Sequence, residues 1–157
     1  MLQRKQTVFL LLAVLCGALT FAFPVASYTR GEQVFEFRTT GLTLADGTAV
    51  PDASPKVPFA IVIGLCMVVL AVAIFFFKKR PRQMRLVRSA YLVVLAVVAF
   101  VFITDHSIAT YLGQGGTVAT HYGASAFLPI AMLVFAFLAE RSIRKDEELI
   151  KSMDRLR

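Results

Sequence analysis

Charge is missing from the four longest apolar stretches of this chain: no Asp, Glu, Lys or Arg falls within Val8 to Ala26, Val57 to Phe77, Ala90 to Thr104 or Tyr122 to Ala139. Small transporters usually carry an ionisable side chain at mid-bilayer. A proton-coupled carrier or ion channel is therefore disfavoured, unless oligomerisation builds a pore from Thr20 or backbone groups. Small multidrug carriers have a similar length but carry an embedded Glu, which is absent here. Cysteine is almost as scarce. Cys16 and Cys66 lie in apolar stretches and no CxxC exists, which argues against a thiol–disulfide relay and makes both thiols small hydrophobic side chains.

Histidine occurs twice, at His106 and His121. With Asp105 these side chains are ordinary zinc-ligand types, yet their fifteen-residue spacing matches no metal-site signature. They are read instead as polar residues capping two helix ends. A bis-histidine haem would want ligands facing each other from helix interiors, so no cofactor and no metal is expected. GQGG at Gly113 to Gly116 lacks the Lys and Ser/Thr of a phosphate-binding loop and reads as a flexible turn. An intramembrane enzyme needs a nucleophile, base or metal near the membrane plane. Only Asp105, His106 and His121 are candidates, without a visible third element, so no catalytic residue is assigned and the chain is not expected to be an enzyme.

What the chain has is hydrophobicity, 57% of 157 residues against 17% charged. It is gathered in four runs, 8–26, 57–77, 86–104 and 122–139, each near the ~20 residues that an α-helix needs to cross a bilayer. The expected fold is an all-α membrane protein, one integral domain over 1–157, with four transmembrane helices in an up-down bundle. Its first run is too long for a typical signal-peptide core and reads as an uncleaved span. Ala13 with Gly17, and Ala60 with Gly64, are spaced to let a neighbouring helix approach closely.

Orientation follows from the basic residues. Net charge is +7, and fourteen of the 17 basic side chains lie at Arg4 and Lys5, in the 78–88 turn KKRPRQMRLVR, or in the tail 141–157. All three belong on one side of a four-span topology, which the positive-inside rule makes cytoplasmic. The charge is thus a topology signal and an attraction to membrane lipids, and nucleic acid is not an expected partner. The outer loop 28–56 alternates with period two in places and holds Asp46-Gly47, a strong tight-turn pair. A small extracytoplasmic β-hairpin or three-strand meander is expected there.

From Ile130 to Arg157 no Pro or Gly occurs, so the last helix should run out of the membrane near Glu140 into a cytoplasmic extension. Glu140 with Arg144 and Glu147 with Lys151 form i, i+4 acid-before-base pairs. Leu149, Ile150, Met153 and Leu156 form a narrow apolar stripe beside dense charge, which suits a partner helix or a membrane surface. Together with Lys78, Lys79, Arg80, Arg82 and Arg85 they are the candidate docking residues. The expected function is a structural, assembly or interaction subunit, either meeting a cytoplasmic protein partner or forming a homo-oligomer; the alternative is a small transporter or channel subunit.

MLQRKQTVFLLLA at the start, FKKRPRQMRLVR in the central turn and LAERSIRKDEELIKSMDRLR at the end resemble the domain of unknown function 4293 family, small integral membrane proteins of Bacteroidota. The resemblance covers essentially the whole chain, and the tail is its most specific part. It implies a multi-pass inner-membrane protein with four helices and cytoplasmic termini. It implies no activity.

Overall fold

The computed structural model describes residues 5–48, 50, 57–113 and 118–154. Four helices pack against one another, with a sheet across one end. Helix α1, Lys5–Leu19, buries Gln6, Leu10, Ala13 and Gly17, and α2, Phe59–Phe75, buries Phe59, Ile63, Cys66, Leu70 and Ala73. Both sets step by three and four, the spacing that keeps side chains on one helix face. A 3-10 turn over Phe76–Lys78 leads into α3, Arg80–Gly113. Pro81 falls in the first turn of α3, where its missing N–H costs nothing. Helix α4, Leu128–Asp154, follows a second 3-10 turn at Ala124–Ala126. Pro129 also stands in a first turn, so it needs no neighbouring polar group to compensate it.

Helices α3 and α4 are long and apolar enough to cross a membrane, and α1 and α2 are shorter apolar helices. The buried stripe of α3 runs from Gln83 through Val87, Ala90, Val94, Val97 and Val101 to Asp105, Ile108 and Leu112. It continues past Thr104, because Asp105 occupies the next inward position on the same face. Gly17 marks a close helix contact: a Cβ there would meet Met67 Cγ at 2.7 Å and Met132 Sδ at 3.2 Å. Gly64 faces open space instead, so among the described residues no helix packs against it.

The all-α class is corrected by a four-stranded antiparallel sheet in the order β3-β2-β1-β4. Its strands are β1 Ala26–Arg30, β2 Gln33–Arg38, β3 Gly41–Leu44 and β4 Ala119–Tyr122. The first three make a meander, turning at Gly31 with φ +60°. Gly47, with φ +87°, closes the Asp46-Gly47 turn, where the Thr48 N–H donates to Asp46 Oδ1 at 2.8 Å. This bond holds the Asp46 carboxyl below its ordinary pKa.

Strand β4 was not expected, since ATHY lies in the segment between the last two helices and pairs with β1 about ninety residues earlier. Its route requires Gly123, whose N–H donates to the Val25 carbonyl at 2.9 Å. Any Cβ there would overlap the Pro24 carbonyl oxygen. Alternation does the rest: Ala26, Tyr28, Phe35, Phe37 and Leu42 turn inward onto Phe59 and Ile63 of α2 and Val97, Val101, Ile108 and Leu112 of α3. The Ala60 N–H at the start of α2 donates to the Thr39 carbonyl at 3.2 Å, satisfying one of the orphan donors of a helix N-terminus.

Candidate functional site

The basic segment and the C-terminal helix meet at the end of the molecule opposite the sheet. Arg80 Nη1 donates to the Asp146 carbonyl at 3.4 Å. Two turns along α3, the Arg88 guanidinium binds Glu140, with Nε 3.2 Å from Oε1 and Nη2 closer still. Glu140 is buried, its side chain 9% exposed. A carboxylate there demands a cation, because an unpaired buried charge is strongly unfavourable. The pair therefore fixes the register of α3 against α4.

Outside this seam the surface is open. Lys79, Arg82 and Arg85 are exposed and Arg80 is half-buried. Leu149 and Ile150 are 64% and 40% exposed. They stand beside Arg144 and Glu148, which form an i, i+4 ion pair at 3.0 Å. A groove lined by Lys145, Glu148, Leu149 and Ser152 runs along this part of α4. The arrangement brings Arg80 and Arg88 onto α4 and, among the described residues, leaves Leu149 and Ile150 exposed. Leu156 and the side chains of Lys78 and Met153 lie outside the described residues.

At the sheet end the three polar candidates part company. His106 and His121 are both exposed, the latter opposite Ser27 in the sheet. Asp105 is 6% exposed and turns inward. Its Oδ1 accepts from the Tyr28 hydroxyl and its Oδ2 from the Tyr122 hydroxyl at 3.1 Å. Burial, then the bond to Asp105 and its charge, push the Tyr28 hydroxyl far above its usual pKa. Tyr122 shifts the same way, through the charge of Asp105 first. Among the described residues no group of three metal-ligating side chains forms. The Asp105 cluster is a clasp joining β1 and β4 to α3. The signal for it was the α3 stripe, in which Asp105 continues the spacing of Val94, Val97 and Val101.

Of the other buried polar side chains, Gln6 on α1 and Gln83 on α3 have amides with no hydrogen-bond partner among the described residues. Gln83 lies between Arg80 and Arg88, so it too belongs to the basic end. Unmet polar atoms of this kind cost about 1–3 kcal/mol each, which leaves this end less well satisfied than the sheet end.

Four packed helices, two of them long enough to span a bilayer, with a sheet at one pole and a basic seam at the other, define a class of apolar helical protein with a capped end. The chain belongs to the family of the domain of unknown function DUF4293, whose model matches residues 2–156. No curated protein matches it.

Proposed function

We propose that this protein is a membrane-embedded docking subunit. All four helices cross the bacterial inner membrane in an up-down bundle, the sheet lies outside, and both termini are cytoplasmic. Several features support the embedding. Large apolar side chains face outward from every helix, among them Leu11, Ile61, Leu65, Leu95 and Val134, as lipid contact requires. Most of the described basic residues gather at the pole away from the sheet, with Arg30 and Arg38 the two in it, as the positive-inside rule asks.

One observation carries the docking role: Leu149 and Ile150 are exposed on a helix that has already left the apolar segment. A helix that merely fixed topology would need charge there and no apolar side chains. The Arg80 and Arg88 contacts hold that helix against α3, so the stripe is presented in a set direction to a partner protein. No catalytic chemistry is assigned.

Affinity purification from native membranes in mild detergent tests this, comparing the full chain with one truncated after Ser142. Proteins recovered with the full chain and lost on truncation, with insertion intact, are expected. An unchanged set of co-purified proteins contradicts the docking role.

A further inference from the structure

Beside the proposed docking stripe, an open groove of about 370 Å³ is lined by Phe137, Glu140, Arg141, Arg144, Lys145 and Glu148. Its two carboxylates are already engaged, Glu140 by Arg88 and Glu148 by Arg144. Arg141 and Lys145 remain, and neither has a carboxylate within ion-pair distance among the described residues. They are four apart on one helix, a like-charge spacing that destabilises it unless an anion lies between them. Phe137, 47% exposed, stands one turn before Arg141 on the apolar side of the same groove.

We propose that this groove binds an anionic phospholipid, with Arg141 and Lys145 holding the headgroup phosphate and Phe137 lying along an acyl chain. This rests on the membrane reading above, which puts Phe137 at acyl depth and Arg141 at the level of the cytoplasmic headgroups. The groove suits a diacyl lipid better than a soluble anion because Arg141 and Lys145 line it together with the exposed Phe137. Cations near an anionic surface attract it, and the pair together gives a preference of about tenfold or more for anionic over zwitterionic lipid.

The test is native mass spectrometry of the full chain, purified in mild detergent and supplied with equal amounts of phosphatidylglycerol and phosphatidylcholine. Wild type is expected to retain phosphatidylglycerol with that preference. R141Q/K145Q should lose it, while R82Q/R85Q, with the same loss of charge elsewhere on the basic end, should keep it. Equal loss in both variants, or none in R141Q/K145Q, overturns the proposal. Release of the lipid by millimolar inorganic phosphate overturns it in favour of a soluble anion, and displacement by an acidic peptide in favour of a protein ligand. Carbonate extraction of the same variants and crosslinking at Leu149 report separately on insertion and docking, so failure of the lipid site is distinguishable from failure of the membrane or docking reading.

Discussion

Tyr28 shows how one side chain ties the sheet to the helices. It is fully buried, its ring packs in the core between sheet and helices, and its hydroxyl reaches the carboxyl group of Asp105. Y28F keeps the ring and removes the donor, so about 1–3 kcal/mol of stability should be lost. Y122F should cost less, since Tyr122 is largely exposed and water can replace its hydroxyl. Thermal melts of the three proteins in detergent check the order, and equal losses would contradict it. The raised pKa of Tyr28 sets a pH dependence as well. Its neutral form is favoured in the fold, so this stabilisation is fully present below the unfolded tyrosine value of about 10 and is lost as pH rises beyond it. In an alkaline titration the Tyr28 phenolate should therefore appear together with unfolding. Locally none of this is legible. Asp105 and Tyr28 are 77 positions apart, and the polar pair Asp105-His106 reads as the end of a helix. The regular inward spacing along α3 was the one available clue.

Elements differ in how openly their sequences announce them. The apolar runs and the absence of Pro and Gly after Ile130 make the helices and the long α4 readable, and Asp46-Gly47 marks the turn after β3. Strand β4 is four residues long, so it has too little periodicity to be seen. Only its pairing with β1 defines it. The two pairs of small residues, Ala13 with Gly17 and Ala60 with Gly64, look alike in sequence, yet Gly17 meets Met67 and Met132 while Gly64 meets nothing. Glycine substitution separates such cases. G123A should destabilise by about 1–3 kcal/mol, because the new methyl collides with rigid backbone at Pro24. G64A should be neutral or stabilising by about 0.5–1 kcal/mol, since alanine is the better helix former and has room. Denaturation midpoints decide both, and a harmless G123A would place Pro24 and Gly123 further apart than described.

For the whole molecule, the two poles do different work. The sheet and the Asp105 clasp close one end, whereas the basic end combines a fixed seam with uncovered Leu149 and Ile150. Composition and charge placement made this polarity visible in the sequence, and the contacts of Arg80 and Arg88 add what joins the two basic segments. The most direct measurement places a photo-reactive amino acid at position 149, and separately at position 65 on the exposed face of α2, in cells of the native host. A discrete protein adduct at 149, reduced by Ile150→Ser and absent at 65, is the predicted result. Adducts of equal yield at both positions, or lipid adducts alone at 149, would contradict a docking face on α4.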